Sequence, residues 1–181
     1  MTGIDPALRA ALATVEPNAA HLALARLDRE WPGDFLLVTQ NVDDLHDRAG
    51  TRRLLHMHGE LKSAWCLSCD RRTPWDGALS NDPACPACGA RGHLRPDIVW
   101  FGEMPYHMDR IEAALDRADL FAAIGTSGNV YPAAGFVDVA AMNGAETVEL
   151  NLAATAPGRF DRVIEGPASR TVPEWVASLI G

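Results

Sequence analysis

Short apolar runs and longer helical repeats alternate along this chain. "FLLVTQ", at residues 35–40, is an apolar run that ends in polar residues, the mark of a buried strand. "DIVWFGE", "DLFAAIGTS", "ETVELNL" and "RVIEG" are four more runs of the same kind. Between them the period lengthens. Pro17 and Asn18 stand where a helix would start, Leu22, Leu24, Leu27 and Trp31 follow at mostly helical spacing, and Pro32-Gly33 stops it. "YHMDRIEAALDRA" and "PAAGFVDVAAMNG" are also helical, the second opening at Pro132 and closing at Asn143-Gly144, and "VPEWVASLI" predicts a last helix. Strands that alternate with helices and are apolar on both faces predict an α/β fold with a parallel sheet covered on both sides. Such sheets bind ligands at the carboxyl ends of their strands. Thr39-Gln40-Asn41, Gly125-Thr126-Ser127 and Asn151 all fall at those ends.

Residues 60–94 break the rhythm. They hold all four cysteines, as Cys66-x-x-Cys69 and Cys85-x-x-Cys88, with fifteen residues between the pairs. Two such knuckles can close a tetrahedral Zn²⁺ site. The alternatives are two disulfides or four unrelated thiols. A cytosolic chain disfavours disulfides, and unrelated cysteines would not fall into matched pairs. With four cysteine ligands no position is left for water, so the metal is expected to be structural. It would hold a small module unable to fold on its own core. Asp70, Arg71 and Arg72 beside it read as solvated surface.

Composition narrows the class further. The 181 residues, 48% apolar and 22% charged, suit one soluble core with a small inserted module. No apolar run is long enough to span a membrane, and "MTGIDPALRA" lacks the build of a secretory signal. A cytoplasmic protein is expected. The net charge of −8 argues against a nucleic-acid partner and is compatible with a basic peptide. Lys62 is the sole lysine among abundant Arg and Ala, a bias of high-GC coding that by itself carries no chemistry.

The stretch "TQNVDDLHDRAGTRRLLHMHGE", residues 39–60, is too polar for a packed core. It suits a site that orients a polar cofactor and moves a proton. His56-x-His58 would share a face on a strand, but without a third ligand nearby one histidine is expected to pack and one to work. His21, His46, His93 and His107 are read as structural.

Thr39-Gln40-Asn41-Val42-Asp43 with Leu45-His46 resembles the TQNxDxLH motif of the sirtuins, the NAD-dependent protein-lysine deacylases. His58-Gly59, the two CxxC pairs, "RPDIVWFGE", "GTS" and "LNL" follow in that family's order, from about Pro17 onward, in a pattern most like bacterial members. The resemblance implies a Rossmann-like NAD-binding unit over residues 1–59 and 95–181 and a zinc-ribbon module over 60–94. It implies that His58 is the general base, a role suited to a side chain whose ordinary pKa is about 6.5. The acyl-lysine carbonyl oxygen would attack the nicotinamide ribose and nicotinamide would leave. The base would then take a proton from a ribose hydroxyl, and the products would be nicotinamide, free lysine and O-acyl-ADP-ribose. Asn41 and Asp43, flanked by Gln40 and Val42, match the residues that hold the nicotinamide end, an amide recognising an amide. A turn or helix cap is the plainer role for Asp43 and the preferred one for Asp44. Gly125, Thr126 and Ser127 match the loop on the adenosine side. Asn151, beside Leu152, matches a ribose contact, and Ala168 a backbone position near the adenine. Val99, Phe101 and Gly102 match the strand that pairs with an acyl-lysine peptide. Core packing is the default for Val99 and Phe101 outside that context.

One family feature has no counterpart. Sirtuins begin with a strand leading into a GAGxS-type loop and a flexible segment with a Phe-Arg pair, and no stretch here matches them. That loop would set backbone N–H groups against the NAD pyrophosphate, and that strand would lie mid-sheet. The tyrosine and arginine that select acidic acyl groups would precede residue 1. A late start codon or a truncation is the expected origin, with unpaired apolar strand edges and impaired catalysis by this chain as consequences. Two other readings stand beside deacylation: a non-catalytic zinc-ribbon docking module, which NAD binding would exclude, and a protein ADP-ribosyltransferase.

Overall fold

The computed structural model describes residue 12 and residues 14–181. Residues 1–11 and 13, at the start of the unit expected over 1–59, lie outside it. Helix α1 (Ala19–Glu30) starts at Asn18, whose side chain accepts the N–H groups of Ala20 and His21 while the His21 ring reaches back to the Asn18 N–H. This capping box satisfies donors that a helix start otherwise leaves open. There follow β1 (Leu37–Thr39), α2 (Leu45–Ala49), β2 (Leu54–His56), β3 (Gly59–Cys66), β4 (Arg72–Pro74) and β5 (Leu94–Ile98). After these come α3 (Met108–Leu115), β6 (Leu120–Ile124), a 3-10 turn at Ala133–Gly135, α4 (Phe136–Met142), β7 (Glu146–Asn151), β8 (Arg162–Glu165) and α5 (Ala168–Ile180).

The strands form three sheets. β1 pairs in parallel with β2, and β6, β7 and β8 form a parallel sheet in that order. β4, β3 and β5 form an antiparallel sheet. The expected parallel strands and covering helices are thus present. β7 is the most buried strand: Val148 and Leu150 face one side, Thr147 and Glu149 the other, and all four are at most 1% exposed. Val148 and Leu150 pack with Leu24, Leu27, Val172 and Val176 of α1 and α5. A second core joins Leu55 and Met57 to Ile111, Leu115, Phe136 and Ala140. Truncating a side chain in such a core to alanine costs about 2–5 kcal/mol. β6 is only half-buried along its whole length. Among the described residues β1 and β6 each pair on one side alone.

Three elements differ from the sequence reading. "DIVWFGE" is not a strand of the parallel sheet. Its first residues close β5, which pairs antiparallel with β3 as far as Ile98, and a turn follows in which the Glu103 N–H donates to the Trp100 carbonyl. The final helix starts at Ala168, earlier than "VPEWVASLI", and carries Pro173 inside it. "PAAGFVDVAAMNG" enters through a 3-10 turn before its α-helix. No helix among the described residues is long and apolar enough to cross a membrane.

Candidate active site

β1 delivers its polar end at Thr39, which is buried and accepts the Asn41 N–H through Oγ1 at 3.1 Å. This bond turns the chain out of the strand. The Asn41 side chain is exposed and its carboxamide has no hydrogen-bond partner among the described residues, so its donors and acceptor can face a ligand. Asp43 Oδ1 accepts the Leu45 N–H at 3.0 Å, which is the turn role weighed for it, and its other oxygen has no hydrogen-bond partner among the described residues. Asp44 stands at the N-cap position of α2 but makes no capping bond there. It pairs instead with Lys62, at 2.6 Å.

His58 follows β2. Its Nδ1 lies 2.9 Å from the Gln40 carbonyl oxygen. A carbonyl only accepts, so Nδ1 carries the proton and Nε2 presents a lone pair that has no partner among the described residues. That is the tautomer a general base needs. Gly59 next to it has φ +81°, and a Cβ there would lie 2.1 Å from the Asp97 carbonyl oxygen. Only glycine lets β3 approach β5 so closely. The His58 carbonyl in turn accepts the Val99 N–H at 2.9 Å, which sets the segment after β5 beside the histidine.

Hydrogen bonds link the strand ends across the two parallel sheets. Gln40 Nε2 donates to Thr126 Oγ1 at 3.3 Å, and Asn151 Nδ2 donates to the Thr126 carbonyl at 2.7 Å. The Gly125 N–H donates to the Leu150 carbonyl, and Gly125 has φ +60°. Ser127 and Leu152 are exposed, and Ala168 opens α5 beside Gly166, whose N–H donates to the Asn151 carbonyl. The predicted residues from β1, β6, β7 and α5 thus stand in a connected row. A cleft of about 500 Å³ lies elsewhere, along the outer edge of β2 with Arg72, Tyr106 and Arg110, and contains none of the residues expected to bind cofactor.

Phe101 is fully exposed and Trp100 is 41% exposed, so Phe101 is not a core residue. Gly102 has φ +90°, the left-handed region that favours glycine. The sequence reading missed what holds this loop. Arg95 makes a bidentate pair with Glu103, at 2.7 and 2.8 Å, and also donates to the Ile98 carbonyl. Glu103 accepts the Trp100 N–H as well. The Arg95 hydrogen bond, with help from that N–H, holds the Glu103 carboxyl down at about 2. The signal was present in the sequence, since opposite charges bracket "RPDIVWFGE".

Arg72 corrects the reading of its neighbourhood as plain solvated surface. It pairs with Asp97 at 3.2 Å and stacks on Trp65 and Tyr106, while Asp97 also accepts from Ser63 and Tyr106. His56 pairs with Asp47 at 3.0 Å; burial disfavours its charged form, but the Asp47 bond prevails and raises its pKa. His46 packs against the His21 ring at 4.7 Å, and burial, with the His21 charge, lowers it to about 4.

The four cysteine sulfurs lie within 4.8 Å of one another, with Cys66–Cys88 at 3.8 Å and Cys69–Cys85 at 3.9 Å. A disulfide needs about 2.05 Å, whereas four thiolates at about 2.3 Å from one Zn²⁺ stand about 3.8 Å apart. The set fits structural zinc. Among the described residues no other group of three or more His, Cys, Asp or Glu side chains lies close enough to share a metal.

Parallel strands under helices, with a tetracysteine ribbon at their side, place the protein in the Rossmann-like α/β class. The chain belongs to the Sir2 family, which it matches over residues 5–132. It is 55% identical over 166 residues to an NAD-dependent protein deacylase of Bdellovibrio bacteriovorus, covering 91% of this chain and 69% of that protein. It is 53% identical over 163 residues to one of Salmonella typhimurium, covering 90% of this chain but only 60% of that protein. A Sir2 homologue in complex with NAD superposes with a TM-score of 0.83 at 36% identity, over 93% of this chain and 66% of that one. A Sir2 protein bound to a myristoylated histone peptide does so with a TM-score of 0.77 at 34% identity, over 91% and 72%.

Proposed function

We propose that the protein removes acyl groups from lysines of proteins or peptides, using NAD as co-substrate. The observation that carries this is His58: its Nδ1 is committed to the Gln40 carbonyl, and among the described residues neither its Nε2 nor the carboxamide of Asn41, the residue after Gln40, has a hydrogen-bond partner. The donor set fits NAD. Asn41 and Asp43 would hold the nicotinamide carboxamide and its ribose, Gly125, Thr126 and Ser127 the adenosine side, and Asn151, Leu152 and Ala168 the second ribose and adenine. NAD, when bound, supplies an electrophilic ribose carbon and a leaving group. With NAD bound, His58 Nε2 would take a proton from a ribose hydroxyl and so make that oxygen a better nucleophile. Val99, Phe101 and Gly102 would receive the peptide as an added strand, and zinc on Cys66, Cys69, Cys85 and Cys88 would hold the ribbon that positions them. A cytoplasmic location belongs to the same reading. It is tested by calorimetric titration with NAD. Saturable binding weakened about tenfold or more in Asn41→Ala supports it, and no binding by the wild type favours the docking module.

A further inference from the structure

We propose that Lys62 is a regulatory acylation site: acyl transfer to its amine from a thioester uncouples β3 from the loop that carries Asn41 and Asp43. Lys62 is the one lysine in 181 residues. Its side chain is 46% exposed, so solvent-borne reagents reach it, yet its Nζ lies 2.6 Å from Asp44 Oδ2. The Asp44 side chain is only 20% exposed, its Oδ1 is buried without a hydrogen bond, and its other cation, Arg48, stays 3.9 Å away. Lys62 is thus the one close charged partner of a mostly covered carboxylate among the described residues. A second bond ties the same two segments, the Leu61 N–H donating to the Val42 carbonyl at 2.8 Å. Residues 61 and 62 therefore pin the loop 42–44 to β3 at two points, one of which depends on a charge.

In the modification the neutral Nζ attacks the thioester carbonyl. The C–N bond forms, the C–S bond breaks, the thiolate leaves, and the nitrogen's proton passes to it through solvent. The amide that results has no charge and one N–H in place of three. Asp44 then keeps a largely covered charge without its close partner, and the loop loosens. The lowered turnover that follows rests on the deacylase reading above; the modification and the loosening do not.

The test incubates the full chain with acetyl-CoA, maps the adduct by mass, and compares amide hydrogen exchange over residues 41–45 in treated protein, Lys62→Gln and Lys62→Arg. One acetyl group at Lys62 is expected, absent in Lys62→Arg. Exchange over 41–45 should rise about twofold to fivefold in acetylated protein and in Lys62→Gln, the range of one partly exposed ion pair, and stay near wild type in Lys62→Arg. The proposal is overturned if Lys62 stays unmodified while a lysine peptide in the same tube is acetylated. It is equally overturned if acetylated protein exchanges at the wild-type rate. Nicotinamide release from the same samples reports on deacylation separately, and either result there leaves this test decisive.

Discussion

His46 and His56 lie ten residues apart and are pushed in opposite directions. His46 is buried against His21, and its pKa falls to about 4. An unfolded chain therefore binds a proton there that the native chain refuses. Its contribution to stability is present above about pH 6.5 and is lost as pH falls toward 4. His56, raised by Asp47, contributes stability below about pH 6.5 that is lost as pH rises through its folded pKa. Melting followed from neutral pH down to about pH 4 should show a steep acid-side loss in the wild type and a shallower one in His46→Gln. Equal slopes would show that His46 is not the buried group responsible. At this scale the spacing of His56 and His58 left open which of the two packs and which works, and only the resemblance to the HG motif pointed to His58. It did not show which ring nitrogen is open. That depends on the Gln40 carbonyl, eighteen residues away in sequence.

The loop after β5 shows what an element needs beyond its own residues. Trp100 and Phe101 are too exposed to be held by packing, and Gly102 adds freedom, so the bidentate Arg95–Glu103 pair supplies the order. Arg95 is itself stacked 5.2 Å from Trp65 on β3. Glu103→Gln should raise KM for an acyl-lysine peptide several-fold while NAD affinity stays unchanged. Arg95→Lys should not restore it, because a lysine cannot make the fork. Unaltered peptide KM in both variants would show that the clamp does not set the loop. The strands Leu37–Thr39 and Glu146–Asn151 were legible because each lies in a short apolar run; β7 is buried on both faces, and β1 is half-buried up to the buried Thr39. "DIVWFGE" misled because its apolar residues serve two ends: Ile98 closes a ladder, whereas Trp100 and Phe101 face solvent. A run of apolar letters does not distinguish these uses.

For the molecule as a whole, the antiparallel sheet that leads to the cysteines joins the β1–β2 pair at His58, where the chain after β5 returns: the Val99 N–H donates to the His58 carbonyl and the Tyr106 N–H to the Met57 carbonyl. Structural zinc binding is worth about 10–16 kcal/mol in isolated fingers, so the ribbon should not survive its loss. A strong chelator should strip hydrogen-exchange protection from residues 60–98 and leave β6–β8 protected. Simultaneous loss throughout would mean that the two parts fold as one. The cysteine spacing made the ribbon legible, and alternation made the α/β class legible. The division of the parallel strands into two sheets, bridged by Gln40 and Thr126, was not legible, since pairing is non-local.

The central claim is that His58 acts as a base on a reaction begun by loss of nicotinamide. The measurement that tests it most directly follows nicotinamide and deacylated peptide together, from NAD and acetyl- or succinyl-lysine peptides, for the wild type and His58→Ala. The account predicts peptide-dependent nicotinamide release by the wild type, and at least about a hundredfold loss of deacylated product in the variant with NAD binding retained. Deacylation by His58→Ala at the wild-type rate would contradict it.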